Sequence, residues 1–190
     1  MDLDPATGLL GRARQLPSPN CDARPPGMPV DLIVVHGISL PPGQFGGPWI
    51  DRLFTNQIAG HEHPSFAEIA DLRVSAHALI RRDGEIVQYV PFHRRAWHAG
   101  QSNWEGRERC NDFSIGIELE GTDASAYEPV QYAMLARLIA ELCRAYPSVS
   151  AERVVGHSEV APGRKSDPGV SFDWPLLRAL LRFELECGPA

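Results

Sequence analysis

Two histidines and one aspartate are the side chains from which chemistry is most readily built in this chain. His36 closes the β-branched run Leu32-Ile33-Val34-Val35, and His157 closes Arg153-Val154-Val155-Gly156. Asp167 follows His157 by ten positions inside the Pro/Gly-rich loop Ala161-Pro162-Gly163-Arg164-Lys165-Ser166-Asp167-Pro168-Gly169. Side chains at strand ends project into the loops where sites on sheet proteins lie, so the three can converge. Two imidazoles and a carboxylate would leave the fourth position of a tetrahedral Zn²⁺ open, the catalytic rather than the structural arrangement. Amide hydrolysis is the reaction class that follows, because zinc acidifies water and polarises a carbonyl.

Such chemistry also needs a proton acceptor and a positive charge near the developing oxyanion. Glu118, on the polar face of an otherwise apolar strand, and Lys165, two positions before Asp167, are the candidates. Lys165 is the sole lysine among the 18 Lys and Arg residues, which marks it in a chain that otherwise uses arginine for cations. Spacing leaves a second reading open. His36 and His157 would then be hydrogen-bonded residues at strand ends, Glu118 a solvated strand residue, Lys165 a loop lysine and Asp167 a turn former ahead of Pro168. His61-Glu62-His63 reads as a surface loop, and His77 and His98 as structural residues beside the cleft.

The elements that must hold these residues are legible in the hydrophobic pattern. Leu32–Val35 suits a strand buried on both faces. Val74–Ile80 and Glu85–Val90 read as a hairpin closed by Arg82-Asp83-Gly84. Ser114–Glu120 alternates, with Ile115, Ile117 and Leu119 on one face and Gly116, Glu118 and Glu120 on an acidic one. Pro129–Tyr146 carries Met134, Leu135, Leu138, Ile139 and Leu142 at helical spacing, and Asp173 caps a last helix with Leu177, Leu180, Leu181 and Leu185 turned to the core. Alternating strands and helices with a hairpin predict an α/β fold, a central mixed β-sheet flanked by helices. Residues 1–29 read as an extended N-terminal arm packed on a single domain spanning 30–190.

Composition narrows the partners. A formal net charge of −6 with scattered arginines argues against nucleic acid and anionic membranes, which reward a concentrated positive field. No window approaches the ~20 apolar residues of a membrane span. The start of the chain, with Asp2 and Asp4, reads as lacking an export signal, so cysteines Cys21, Cys110, Cys143 and Cys187 are expected as free thiols.

Taken in order, Val34-Val35-His36, Ser75-Ala76-His77, Trp97-His98-Ala99-Gly100, Ser114-Ile115-Gly116-Ile117-Glu118 and Gly156-His157 with the loop to Gly169 resemble the N-acetylmuramoyl-L-alanine amidase type 2 family, from about Leu16 to Leu181. The resemblance implies one zinc ion per chain on His36, His157 and Asp167, with Glu118 as acid/base and Lys165 at the transition state. It further implies that Trp97 meets the sugar, and that Arg73 and Arg109 meet the stem peptide. A cytoplasmic, monomeric enzyme of cell-wall recycling is expected, cleaving the lactyl–L-alanine amide of anhydromuramyl peptides. The alternatives are a periplasmic amidase acting on intact peptidoglycan, distinguished by an export signal and an open cleft, and a recognition module that binds without hydrolysis. Two positions depart from the family pattern: Gly37, where a polar Asn is expected, so that a hydrogen bond near the metal would be missing, and Trp104, whose ring would reshape the cleft.

Overall fold

In a computed structural model, which describes residues 1–187, six strands form one mixed sheet. In chain order these are β1 (Arg14–Gln15), β2 (Leu32–Ile38), β3 (Ala78–Ile80), β4 (Ile86–Gln88), β5 (Ser114–Glu120) and β6 (Val154–Gly156). Their order across the sheet is β6-β2-β5-β3-β4-β1, with only β3–β4 antiparallel. The central pair β2 and β5 is parallel, and its register sets Glu118 directly opposite His36. Registered partners in a pleated sheet point to the same face, so the carboxyl and the imidazole are neighbours by construction.

The period-2 pattern of β2 and β5 divides the interior into two sides. On one, Ile33, Val35, Ile115, Ile117 and Leu119 pack against α2 (Pro129–Ala145) and α4 (Trp174–Cys187) through Leu135, Leu138, Ile139, Leu142, Leu177 and Leu181. Each such fully buried aliphatic side chain contributes roughly 1.5–3 kcal/mol relative to exposure. Pro129 opens α2 and Glu128 and Gln131 form a reciprocal capping box, while the Asp173 carboxylate accepts the Leu176 N–H at 2.9 Å to start α4. Leu185, expected in the core, is exposed, while Leu177 and Leu181 of the same helix are buried.

On the other side two smaller clusters flank the His36–Glu118 pair. Leu32, Val34, Phe113, Val155 and Val160 lie to one side, and Leu79 and Val87 with Ile50, Leu53 and Phe54 of α1 (Trp49–Phe54) to the other. The acidic face of β5, on which the second reading left Glu118 solvated, is covered: Glu118 is 9% and Glu120 2% exposed. The N-terminal residues contribute β1 to the sheet edge, and Cys21–Asp22 pairs with Arg95–Ala96. No helix among the described residues is long and apolar enough to cross a membrane.

Candidate metal centre

His36 is presented by β2 toward the side away from α2 and α4. His157 arrives differently from its expected place at a strand end: β6 stops at Gly156 and His157 is the first residue of α3, a single helical turn over His157–Val160. Glu159 accepts the Gly156 N–H at 2.8 Å, tying the first turn of the helix to the end of the strand. The following loop folds back, and the Asp167 carbonyl takes the Ser158 N–H at 3.0 Å. Arg164 clamps the same loop to the chain opposite, donating to the carbonyls of Ala99 and Gln101 at 2.6 Å each.

The result is a triangle of donor atoms. His36 Nδ1 lies 3.0 Å from His157 Nδ1, and Asp167 Oδ2 lies 3.2 and 3.0 Å from the two nitrogens. Ligand bonds of 2.0–2.2 Å in a tetrahedron separate donors by about 3.3 Å, so the triangle has the size that zinc requires. His157 Nε2 faces the Ala99 carbonyl at 3.3 Å; a carbonyl only accepts, so the ring proton sits on Nε2 and the Nδ1 lone pair faces the triangle. Burial drives His36 down to a pKa of about 4, opposed by the nearby Asp167 carboxylate, so its imidazole is neutral at physiological pH, as a ligand must be. Burial works against the charge of Asp167, but its close contact with the imidazoles of His157 and His36 outweighs it and holds the carboxyl well below the usual carboxylate range. Among the described residues, no other group of three metal-competent side chains comes together in this way.

Glu118 and Glu120 share a face of β5, and the structure separates their roles. Glu120 accepts the Gly46 N–H at 2.7 Å and faces Arg81 at 3.4 Å, which pins the Gly-rich loop. Glu118 Oε2 is buried without a protein partner. Burial first and then the Asp167 charge push the Glu118 carboxyl well above the ordinary range, and the Lys165 ammonium pulls it partly back. Lys165 itself is exposed.

The other expected contacts differ in their surroundings. Arg109, with left-handed backbone (φ 60°), leaves its side chain 71% exposed beside Asp112. It helps line a cleft of about 410 Å³ with Ser102, Asn103, Pro162 and Arg164. Trp97 is half-buried and Arg73 is exposed, its guanidinium donating only to the nearby carbonyls of Ala70 and Leu72. Trp104 turns its ring inward onto the Val155–Val160 cluster, while its neighbour Asn103 lines the cleft. His63 caps a turn by accepting the Ser65 N–H and Glu62 pairs with Arg52, so that motif is structural.

Gly37 proves to be a packing position. A Cβ there would overlap the Tyr127 hydroxyl oxygen, although the ring carbon Cζ would lie at an ordinary 3.5 Å. That hydroxyl donates to the Pro168 carbonyl at 2.9 Å, next to Asp167, so the missing side chain is replaced by a phenol that braces the ligand loop from below. Glycine inside a strand is the sequence signal that marks such a close approach. Gly37→Ala should therefore cost about 1–3 kcal/mol by overpacking. Tyr127→Phe should cost about 1 kcal/mol for its lost hydrogen bond. Because only the hydroxyl obstructs the new methyl, the double variant should lose less than the two single losses together, as melting temperatures of the four proteins will show; strict additivity would refute the packing account.

Residues 26–170 match the N-acetylmuramoyl-L-alanine amidase family. The chain is 63% identical over 177 residues to a 1,6-anhydro-N-acetylmuramyl-L-alanine amidase, AmpD, of Salmonella typhimurium, covering 93% of this chain and 94% of that one. A crystal structure of a selenomethionine AmpD derivative superposes with a TM-score of 0.92 at 61% identity, covering 95% of this chain and 99% of that one. The Escherichia coli amidase AmiD, solved in complex with the substrate anhydro-N-acetylmuramic acid-L-Ala-D-γ-Glu-L-Lys, matches with a TM-score of 0.58 at 31% identity over 82% of this chain and 59% of its own.

Proposed function

This chain belongs to the N-acetylmuramoyl-L-alanine amidase family, and from that premise we propose that it hydrolyses the lactyl–L-alanine amide bond of 1,6-anhydro-N-acetylmuramyl peptides, using one zinc ion, in cytoplasmic murein recycling. The observation that carries the reading is the donor triangle of His36, His157 and Asp167, with the unpaired Glu118 carboxyl registered beside it. The near-full-length likeness to amidases named for anhydromuramyl substrates supports the substrate class.

His36, His157 and Asp167 would hold the metal. A zinc ion in such a set supplies Lewis acidity, which acidifies water and polarises a carbonyl. Glu118 supplies the proton traffic: its Oε2 accepts a proton from the attacking water and returns it to the alanine nitrogen as the C–N bond breaks, leaving a lactyl carboxylate and a free amine. A carboxyl held above its ordinary pKa by burial suits both directions of transfer. Lys165 stabilises the negative charge that builds on the carbonyl oxygen. Trp97 would offer an apolar ring to the sugar, and Arg109, exposed on its cleft wall beside Asp112, a guanidinium to stem-peptide carboxylates, with Arg73 as a further cationic contact.

Lys165→Arg keeps the charge but replaces a compact ammonium with a planar fork. We expect kcat to fall by about 10²-fold with KM little changed, the signature of a lost transition-state contact. Full turnover in the variant would remove Lys165 from the mechanism. The proposal as a whole is tested by mass spectrometry of products from the zinc-loaded protein. An anhydromuramyl tripeptide should yield free tripeptide and the anhydro sugar, with intact sacculi left uncut. Peptide release from sacculi at a comparable rate would instead make the enzyme a wall-cleaving amidase.

A further inference from the structure

We infer that His98 is a positioning residue of the metal site: it accepts a hydrogen bond from the Nε2–H of His36 and so presents that ligand through Nδ1. The inference rests on the zinc reading of the His36–His157–Asp167 triangle and adds a residue outside it.

A chain of contacts with one possible direction carries it. The Ser114 hydroxyl lies 2.6 Å from the Cys110 carbonyl oxygen, which can only accept, so the hydroxyl proton points there. Ser114 Oγ is then left as an acceptor for His98 Nε2 at 3.2 Å, which places the His98 ring proton on Nε2. His98 Nδ1 is accordingly a lone pair, 3.0 Å from His36 Nε2, and accepts a hydrogen bond from the His36 Nε2–H. Only His36 Nδ1 remains free to bind metal, and it is the nitrogen that faces His157 and Asp167. One backbone carbonyl thus fixes the tautomers of two imidazoles in series.

The scaffold holds the His98 ring in place for this. A Cβ on Gly116 would overlap the imidazole, so the ring lies directly on the bare backbone of β5, and it stands edge-on to His36, with centroids 5.1 Å apart and planes at 84°. Asn111 Oδ1 accepts both the His98 and the Ala99 N–H, at 3.1 and 2.8 Å. The consecutive residues His98 and Ala99 therefore supply the outer partners of both ligating histidines, one by its ring and the other by its carbonyl. An outer partner of this kind orients a ligand and sets its basicity. A neutral imidazole, unlike the more usual carboxylate, does so without adding charge, so Asp167 remains the single anion of the donor set.

Chelator-competition titration with zinc alone tests this on the full chain in three forms. Wild type should bind tightly, and His98→Ala should bind about 10–100-fold more weakly, the usual cost of losing an outer partner. His98→Asn should stay within a few-fold of wild type, because its Oδ1 stands where Nδ1 stood and can accept the same hydrogen bond. A purely structural His98 would make the two variants equally weak, since both lose most of the ring, and that result would overturn the inference. Independently of whether the variants fold, ¹⁵N-histidine spectra of zinc-loaded wild type should show His36 protonated at Nε2 and ligated through Nδ1. Ligation through Nε2 would equally overturn it. Failure of the wild type itself to hold zinc would sink the metal reading beneath it, a result distinguishable from either.

Discussion

Asp167→Ala is expected to leave a folded protein that retains no zinc and does not turn over. Asp167 is the one anion in the donor triangle, held ionised by its contact with the His157 and His36 imidazoles against the cost of its own burial. Without it two neutral imidazoles remain, and a divalent cation loses both a donor and its only compensating charge. The loss of affinity should exceed the ~10–100-fold that removal of an outer partner costs. The loop should nevertheless keep its path. It is fixed by main-chain groups that the substitution does not touch, namely the Asp167 carbonyl to Ser158 N–H and the Pro168 carbonyl to Tyr127. Zinc content after dialysis, read beside circular dichroism, checks both halves. Wild type should carry about one equivalent and the variant none; an alanine variant that keeps both metal and activity would remove Asp167 from the site.

How far the sequence foresaw this arrangement depended on whether the pattern was local. Leu32–Val35 and the alternation in Ser114–Glu120 identified the two central strands, and Pro129 with its helical apolar spacing identified α2, because burial imposes those periods on the chain itself. The mixed sheet with flanking helices followed from them, while its count of six strands came from the structure. Depth did not follow. The same alternation that marks a solvated polar face marked Glu118 and Glu120, and only the tertiary cover of loops shows them buried and assigns Glu120 to Gly46 and Arg81. The helical start at His157 was hidden because a single turn has no period to read. Tyr127, His98 and the Ala99 carbonyl lie far from their partners in sequence, yet the first two leave a trace: Gly37 and Gly116 interrupt β-branched strands where nothing but close approach favours glycine.

Glu118→Gln should separate catalysis from stability, and in opposite directions. The amide matches the carboxyl in shape but carries no transferable proton, so kcat should fall by roughly 10²–10⁴-fold while zinc content stays that of wild type. In the zinc-free protein the same change should stabilise the fold. A glutamate in the unfolded chain ionises near pH ~4.3. In the folded chain burial and the Asp167 charge keep Glu118 protonated to higher pH. Ionisation therefore opposes folding from pH ~4.3 upward, is complete as a penalty above the folded pKa, and is absent in more acid solution. Glutamine never incurs it. Zinc-free Glu118→Gln should thus melt above wild type at pH 8, by about 2–4 °C for each kcal/mol relieved in a chain of this size, and the two curves should converge as the pH falls toward 4. The unpartnered Oε2 makes the sign intelligible: in the proposed mechanism hydrolysis uses this buried carboxyl, and the fold would be exchanging stability for activity as functional sites do. A variant equally active, or a melting difference independent of pH, would mean that Glu118 is neither the proton carrier nor the strained group described here.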